Sequence, residues 1–476
     1  MRLFSYFLIL TMSVWLIACE TIPVDSSEAS SLQSLKSAFI DQRFGMFICY
    51  NIMSYGANWG EANYPIDGFN PRELDAQQWA NAAISANMKF GLLTAKHHEG
   101  FCLWDSKYTE YDVAGTPYRK DIVRQFVDAF RSHGLGVGLY FSIWDSTHEI
   151  DRGQITPEKL TIVKGQISEL LTQYGQIDYF VIDGWFWRMG HREDVQYQEI
   201  RDLIKSLQPH CLITEHTHIQ APYHADIPYF EGPFGAFPQE GNTMASALGH
   251  CSIQGNGWFW GERTPTGMKR NDGVDSILTK LRACEERYCN FMLNCMPNRQ
   301  GLLDTIYLDL LADIGQKWSP NENRLPLPDQ GPAIGKSVPI LDARASSGHA
   351  DFLIESAKIG GKNYYDWEAE PGFPQNIVLD LGVEHQAVDL LTIVHKHRCK
   401  PFPEQALPDG NILRVIVSVS SDGLHFEEIA QERWTAPSSF RAVSFEATRQ
   451  RFLKIEILDA VCGQAIINDL EVGLAG

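Results

Sequence analysis

The chain has 476 residues, more than one hydrophobic core usually organises, so two domains are expected. Hydrophobic residues make up 44% of the sequence and charged residues 21%, a balance that excludes a disordered, collagen-like or coiled-coil protein. Because 59 acidic residues outnumber 40 Lys and Arg, the formal net charge is −19, which argues against nucleic acid as a partner.

The first nineteen residues have the pattern of an export signal. Arg2 supplies a positive charge, residues 3–18 are almost wholly apolar, and this run is too short to span a bilayer comfortably. Small or apolar residues directly precede Cys19, as in a bacterial lipobox; the alternative is an ordinary cleaved signal with a coincidental cysteine. We predict a lipoprotein-type signal peptide over 1–19, a lipid on Cys19 and a linker over 20–36. The protein would then be exported, and periplasmic or anchored in the outer membrane of a bacterium.

Residues 37–325 alternate short apolar runs with amphipathic helical patterns, which predicts repeated strand–helix units and a parallel sheet. One helix is expected to begin with Thr156 as its N-cap and Pro157 at its first helical position. The eight strand candidates cover residues 44–51, 88–95, 135–143, 177–183, 211–216, 227–231, 250–254 and 288–295. Eight such units predict an α/β catalytic domain, a (β/α)8 TIM-like barrel.

Prolines punctuate a second linker over 326–339, and helical periodicity is scarce beyond it. Alternating patterns at 377–382, 413–420 and 452–458 predict strands, with a turn at 421–423 between two of them. The fold prediction for residues 340–476 is therefore an all-β antiparallel sandwich.

Carboxylates and imidazoles follow the predicted barrel strands, and the carboxyl ends of such strands surround the active site of a TIM barrel. The second strand leads into HHEG at 97–100, and the fourth, fifth and sixth end at Asp183, at Glu215 and at Glu231. Two acids facing one mouth suit glycoside hydrolysis, in which one carboxylate attacks the anomeric carbon and the other exchanges protons with the leaving oxygen and with water. Aromatic faces for sugar rings are abundant in the same loops: Trp59, Trp104, Trp144, Trp185, Trp187, Trp258 and Trp260.

The cysteines give no sign of a disulfide framework or a metal site. Ten are present, and removing Cys19 leaves an odd number without framework spacing. The close set of Cys284, Cys289 and Cys295 fits no zinc-binding pattern. We predict that most are buried thiols, that the barrel binds no metal, and that catalysis needs no cofactor.

Short motifs recur in a fixed order around the predicted strand ends. TAKHHEGF at 94–101 and LWDSKY at 103–108 are highly specific. Others are RFGMFI at 43–48, FNP at 69–71, GLYFS at 138–142, WD at 144–145, DG at 183–184, LN at 293–294 and GL at 301–302. Together these motifs resemble the α-L-fucosidases of glycoside hydrolase family 29. The resemblance implies a retaining exo-glycosidase that releases terminal α-L-fucose from fucosylated oligosaccharides or polysaccharides by double displacement.

The resemblance also implies roles for the two acids. Asp183 matches the nucleophile of the family, and the alternative is an Asp that caps the following helix. Glu231 ends a short stretch, DIPYFE at 226–231, that resembles the stretch ending in the acid/base of simpler members. Glu240 and Glu262 are alternatives for the acid/base, and Glu215 remains open as well.

Glycone recognition is expected from residues that match the family's binding positions. His97 and His98 resemble a pair that hydrogen-bonds the glycone hydroxyls; both can face the sugar only if the strand has ended before them. If it has not, one lines the mouth and the other is buried. The full set of substrate-binding candidates is His97, His98, Trp59, Glu61, Tyr140, Trp258 and Tyr50.

The chain departs from the family at one position of the glycone site. Cys49-Tyr50 stands where the family usually has His-Trp, and a thiol is a weak hydrogen-bond donor. The change implies fucose bound differently, a substituted fucose, or a related sugar. A non-catalytic glycan-binding surface lipoprotein is the alternative from a different class of function.

Motifs in the second domain are DWE at 366–368, VSVSSDG at 417–423 and NDLEV at 468–472. With the strands at 377–382 and 452–458 they resemble a discoidin-like, or coagulation factor 5/8 type C, sandwich. That resemblance implies a structural calcium and a carbohydrate site at the loop tips. The candidates for such a rim are His395, His397, Arg398 and Phe402.

Overall fold

The computed structural model describes residues 32–184, 197–215, 226–231, 237–238, 240–251, 253–254, 258–261, 269–270, 273–329, 331, 334–354, 366–383, 385–395, 410–435, 440–467 and 469–475. The predicted signal peptide and Cys19 lie outside the described residues. So do Trp185, Trp187, Glu262, His397, Arg398 and Phe402.

Seven α-helices are present in the described part of the chain. They are α1 (Leu32–Asp41), α2 (Ala76–Ser85), α3 (Ile122–Ser132), α4 (Pro157–Gln173), α5 (Tyr197–Leu207), α6 (Val274–Glu286) and α7 (Thr305–Lys317). The predicted start of α4 is confirmed, because the Thr156 hydroxyl accepts a hydrogen bond from the Lys159 amide at 3.3 Å and Pro157 opens the helix.

The first part of the chain forms a closed eight-stranded barrel, as predicted. Its strands, with a two-stranded hairpin, are β1 (Phe44–Ile48), β2 (Phe90–Lys96), β3 (Gly136–Ser142), β4 (Tyr179–Asp183), β5 (Leu212–Glu215), β6 (Ile227–Glu231), β7 (Ser246–His250), β8 (Ile253–Gln254), β9 (Lys269–Arg270) and β10 (Cys289–Asn294). Strands β8 and β9 pair with each other, and the other eight close in the order β1-β10-β7-β6-β5-β4-β3-β2. Every pairing within the barrel is parallel, so all carboxyl ends open at one rim.

The barrel strands are buried on both faces, since side chains fill the interior and helices cover the outside. Helix α3 packs directly against strand β2. Its Phe126 and Phe130 are buried, and a Cβ on Gly91 of β2 would meet the Phe130 ring at 2.2 Å. The amphipathic pattern of this helix therefore specifies direct contact with the sheet.

The seventh barrel strand differs from the sequence prediction. It runs from Ser246 to His250, whereas the predicted strand covered 250–254. A Cβ at Gly249 would lie 1.9 Å from the Tyr229 hydroxyl oxygen, so a small residue is needed there. Gly and Ala are depleted in strands, so the segment Ser246–His250 gives only a weak strand signal.

The second part of the chain consists of antiparallel sheets, as predicted. Its strands are β11 (Ile334–Val338), β12 (Asp342–Ala345), β13 (Trp367–Glu368), β14 (Gln375–Asp380), β15 (Val388–Val394), β16 (Ile412–Ser420), β17 (Glu427–Arg433), β18 (Phe440–Thr448), β19 (Phe452–Ala460), β20 (Ile466–Ile467) and β21 (Asp469–Ala475). They form sheets of order β11-β21-β15-β18 and β12-β14-β19-β16-β17, with β13 paired to β20. Buried side chains of both large sheets belong to one apolar cluster, as in a sandwich.

The barrel has its own apolar core, which extends from Phe39 to Leu327 and shares no residue with the core of the second part. Across the described helices, none is both long enough and apolar enough to cross a membrane.

Candidate active site

The candidate catalytic groups stand at the rim formed by the carboxyl ends of the barrel strands. Asp183 is the last residue of β4, and Glu231 is the last residue of β6. His97 and His98 directly follow β2, and Tyr140 lies near the end of β3. The parallel order of the barrel brings these positions to one mouth.

Asp183 is a buried carboxylate with hydrogen-bond donors on both oxygens. The Tyr140 hydroxyl donates to Oδ2, and the Gly184 amide donates to Oδ1. Gly184 has φ of +71°, and a Cβ there would lie 2.7 Å from the Cβ of Trp144. Position 184 therefore needs a glycine, both for its backbone conformation and for lack of space, while position 183 supplies the carboxylate.

Tyr140 remains a proton donor over the working pH range. Burial raises its pKa well above the usual value, and the neighbouring charge of Asp183 raises it further. Its hydroxyl therefore supplies a permanent hydrogen bond to the carboxylate, and such charge-assisted bonds are the strong ones.

Ser142 fixes the proton on the His98 ring. The Ser142 hydroxyl donates its one proton to the Trp144 carbonyl at 2.8 Å, so at 2.6 Å it must accept from His98 Nδ1. His98 Nε2 is then directed at Asp183, 3.8 Å from Oδ2. The imidazole and the carboxylate are close enough to contact one small ligand together.

Aromatic rings surround the two histidines. Trp59, 46% exposed, lies edge-on to His97 at 4.6 Å and to His98 at 5.1 Å between ring centroids. The two imidazoles are 3.9 Å apart, and Phe259 meets His97 at 4.9 Å. Flat rings around polar nitrogens suit a sugar, which presents C–H faces as well as hydroxyls.

Glu231 is buried, and its charge acts on the same buried groups as that of Asp183. Burial raises the pKa of the Cys49 thiol well above its usual value, and Cys251, Glu231, Cys295 and Asp183 raise it further. The pKa of Tyr229 is also raised, first by burial and then by Glu231, Cys49 and Asp183. The two carboxylates, at the ends of β4 and β6, therefore both lie within electrostatic range of Cys49 and Tyr229.

A family model described as alpha-L-fucosidase matches residues 54–323, which is more than half of the chain. The chain belongs to the α-L-fucosidase family. The matched region contains the two candidate carboxylates, the histidine pair and most of the barrel.

Individual relatives of the family agree with this assignment. A putative alpha-L-fucosidase 1 of Oryza sativa is 29% identical over 68% of this chain and 65% of its own length, and alpha-L-fucosidase 1 of Arabidopsis thaliana is 28% identical over 63% and 61%. The match therefore spans less than two thirds of the length of these plant relatives. The solved alpha-L-fucosidase isoenzyme 1 of Paenibacillus thiaminolyticus covers 90% of this chain and 100% of its own at 22% identity, with a TM-score of 0.54. That likeness concerns the fold.

Several residues that the α-L-fucosidase resemblance singled out are brought together. Asp183, Tyr140, His97, His98 and Trp59 form a connected group through the contacts above. The condition for both histidines to face one side is met, since β2 ends at Lys96. Trp258 is also close, because Phe47 lies 6.0 Å from Tyr140 and 5.8 Å from Trp258 between ring centroids.

Tyr50, predicted to bind the substrate, has its described contacts in the aromatic core. Its ring is fully buried against Phe69 and Trp79, and its hydroxyl lies 3.3 Å from that of Tyr55. Tyr50 follows the end of β1 and leaves the mouth toward the aromatic core, so it supports the barrel wall. Trp104 is likewise a core residue, with Nε1 donating to buried Glu169 at 2.9 Å.

The structure describes the side chains of two of the other predicted acids and leaves two undescribed. Glu61 is half-buried, and its carboxylate accepts from the Asn58 amide at 2.8 Å, which fixes the turn next to Trp59. Glu240 is exposed in a turn. Glu215 ends β5, but its side chain is outside the described part, as is Glu262 altogether.

Glu99 and Lys96 are site-supporting residues that sequence reasoning missed. Glu99 is fully buried and accepts a hydrogen bond from His97 Nδ1 at 2.9 Å. Lys96 immediately precedes the two histidines in the sequence. Its side chain is fully buried, and its Nζ lies 2.9 Å from Asp145 Oδ2. The available signal was a basic and an acidic residue flanking the histidine pair in a buried run.

Proposed function

We propose that this protein is a retaining α-L-fucosidase that releases terminal α-L-fucose from oligosaccharides or polysaccharides. The observation that carries the proposal is the Asp183 carboxylate, which ends β4 and accepts hydrogen bonds from the Tyr140 hydroxyl and the Gly184 amide. Both donors stabilise the negative charge that a nucleophile needs. Membership of the α-L-fucosidase family supports the sugar.

In the first step, Asp183 attacks the anomeric carbon and a glycosyl–enzyme bond forms while the bond to the leaving oxygen breaks. Glu231 supplies the proton that this oxygen takes. In the second step, Glu231 removes a proton from water, the water oxygen bonds to the anomeric carbon, and Asp183 leaves. Two displacements at one carbon retain its configuration.

The residues around Asp183 suit a 6-deoxy sugar. His98 and His97 carry polar nitrogens for hydroxyl groups, and Trp59 gives an aromatic face. Trp258, Phe47 and Phe259 form a buried apolar wall, against which the C5 methyl group of fucose would pack. A hydroxymethyl group in the same place would lose water without gaining a partner.

The test uses 4-nitrophenyl α-L-fucoside and two variants whose products differ in stereochemistry. Asp183→Gly is expected to lose at least about a thousandfold in kcat, and added azide should give the inverted β-fucosyl azide. Glu231→Ala should be rescued by azide with retention, giving the α-fucosyl azide. Exposed Glu286, the last residue of α6, offers a matched control, Glu286→Ala, with activity near the wild type.

Each outcome has a defined meaning for the assignment. Full hydrolysis by Asp183→Gly would reject Asp183 as the nucleophile. Failure of azide to rescue Glu231→Ala would reject Glu231 and move the acid/base role to Glu240, Glu262 or Glu215.

Cys49 favours a second candidate within the same class, a glycosidase for a substituted fucose or a related sugar. The thiol is buried, and burial together with the nearby charges raises its pKa, which keeps it a neutral, weak donor. A panel of nitrophenyl glycosides separates the two candidates by kcat/KM. Binding of glycans without turnover of any member would instead favour the non-catalytic surface protein.

The remaining sequence predictions are proposals with their own tests. We propose that residues 340–476 form a discoidin-like module with a structural calcium, supported by its two antiparallel sheets; EDTA should then lower the melting temperature of that part. We also propose export and a lipid on Cys19, so Cys19→Ser should move the protein from the membrane fraction to the soluble fraction.

A further inference from the structure

We propose that Glu99 is a positioning residue that holds His97 and the Trp59 loop, residues 57–63, in the geometry that binds the sugar. The proposal rests on the proposed function, because it assigns both partners of Glu99 to the glycone site. Glu99 follows the two histidines in sequence, its side chain is fully buried, and its carboxylate is occupied by donors from the protein itself.

One carboxylate joins three segments of the chain. Oε1 accepts from the Gly60 amide at 2.8 Å, within the Trp59 loop. Oε2 accepts from His97 Nδ1 at 2.9 Å and from Asn51 Nδ2 at 3.2 Å. The loop, the end of β2 and the segment after β1 therefore depend on one buried anion.

The donors around Glu99 leave no place for an amide. Asn51 Oδ1 accepts from the Met53 amide at 2.8 Å, so Asn51 must turn its NH2 group toward Glu99. The Gly60 amide on the other side is also a donor. Glutamine has one acceptor oxygen, so in either orientation its NH2 group would face one of these two donors.

Glu99 also determines which nitrogen of His97 is available to a ligand. Because a carboxylate only accepts, His97 Nδ1 carries a proton, and Nε2 is the ring nitrogen left for a ligand. His97 lies edge-on to Trp59 at 4.6 Å and in contact with His98. A sugar hydroxyl would form a hydrogen bond with His97 Nε2 while its ring lies along Trp59.

The test compares the wild type with Glu99→Gln on 4-nitrophenyl α-L-fucoside and its 2-, 3- and 4-deoxy analogues. Loss of a hydrogen bond to a charged group predicts a fall in kcat/KM of about ten- to a hundredfold. One deoxy analogue should lose about tenfold or more relative to the parent with the wild type, and about threefold or less with the variant. Such coupling is expected only if Glu99 acts through the residue that binds that hydroxyl.

A matched control is Glu169→Gln, which changes another buried carboxylate with three donors. Glu169 accepts from Trp104 Nε1, Ser106 Oγ and the Lys107 amide at 2.8 to 2.9 Å, in the core. This control should lower stability but keep the deoxy-analogue ratios of the wild type. Glu99→Asp, which keeps the charge but shortens the side chain by one methylene, replaces Glu99→Gln if the latter does not fold.

A second measurement needs no substrate. Amide hydrogen exchange over residues 57–63 should be faster by about tenfold or more in Glu99→Gln and unchanged in Glu169→Gln. An inactive wild type would reject the proposed function, and this exchange would still test Glu99. Unchanged exchange, or analogue ratios in Glu99→Gln equal to those of the wild type, would overturn the positioning role.

Discussion

Replacement of Lys96 by Met is expected to destabilise the barrel strongly. Lys96 Nζ lies 2.9 Å from Asp145 Oδ2 and 2.9 Å from Gln166 Oε1, and both ionic side chains are fully buried. The Lys96 ammonium also lies 4.3 Å from the centre of the Phe141 ring. Met fills a similar volume but leaves the Asp145 charge with His148 as its partner, at 2.9 Å.

The size of the effect follows from the buried charge that remains. At an effective dielectric constant of about 20, Coulomb's law gives an attraction of about 6 kcal/mol for charges 2.9 Å apart. Desolvation of both ions offsets much of that gain in the wild type. Breaking a buried pair from one side costs about 3 to 5 kcal/mol, because the other charge stays desolvated.

The loss should depend on pH in a defined direction. Burial alone would raise the pKa of Asp145, but Lys96 and His148 outweigh it and hold this pKa below the usual value of 3.8. The pair therefore stabilises the wild type above about pH 4, and this contribution is lost as the pH falls below that value. Without Lys96 burial raises the pKa, so the defect should be larger at pH 7 than at pH 4.5.

Urea unfolding followed by near-UV circular dichroism measures this loss at both pH values. The matched control is Lys159→Met, which removes a pair with Glu149 at 3.8 Å in which the Glu149 side chain is 78% exposed; it should cost less than about 1 kcal/mol. Adding Asp145→Leu to Lys96→Met should recover at least half of the loss. A cost for Lys96→Met no larger than that of Lys159→Met would refute the reasoning.

Three further predictions concern the mouth of the barrel. Tyr140→Phe removes the hydroxyl that donates to Asp183, so kcat should fall about ten- to a hundredfold and the acidic limb of the pH–rate profile should move to higher pH; an unchanged profile would contradict this. Trp59→Ala removes a 46% exposed ring beside both histidines, so initial-rate kinetics should show KM rising about fivefold or more with little change in melting temperature. Gly249 pairs with Glu231 across the sheet, and Gly249→Ala places a Cβ 1.9 Å from the Tyr229 hydroxyl oxygen. This variant should lower the free energy of unfolding in urea by about 1 to 3 kcal/mol. The control Gly134→Ala has space for the Cβ, so it tests only the effect of φ of +70°.

The barrel was predictable because its strands are buried on both faces and stand out as apolar runs between amphipathic helices. Strand β6 was predicted with its observed bounds, Ile227–Glu231. The error at β7 has a local cause, since Gly249 leaves room for Tyr229 and itself carries no apolar signal. The sequence of one strand does not show which side chains of the neighbouring strands it packs against.

The candidate site was predictable where a motif fixes both residue type and position. Asp183 and the histidine pair fall at strand ends that the pattern locates within a few residues. Tyr50 was predicted as a binding residue because Cys49-Tyr50 stands where the family usually has His-Trp, and the burial of its ring against Phe69 and Trp79 is a tertiary contact that the motif does not encode. Glu99 was overlooked because two of its three donors, Asn51 and Gly60, precede it by 48 and 39 residues and meet it only in the folded chain.

The supports of the two functional parts of this mouth are separate. Tyr140 and Asp183 are carried by β3 and β4, which are each hydrogen-bonded to a neighbour on both sides. Trp59 is carried by a connecting segment that is held through the Gly60 amide. Under the proposed function, substitutions in that segment would alter sugar selectivity while β3 and β4 keep Tyr140 and Asp183 in place.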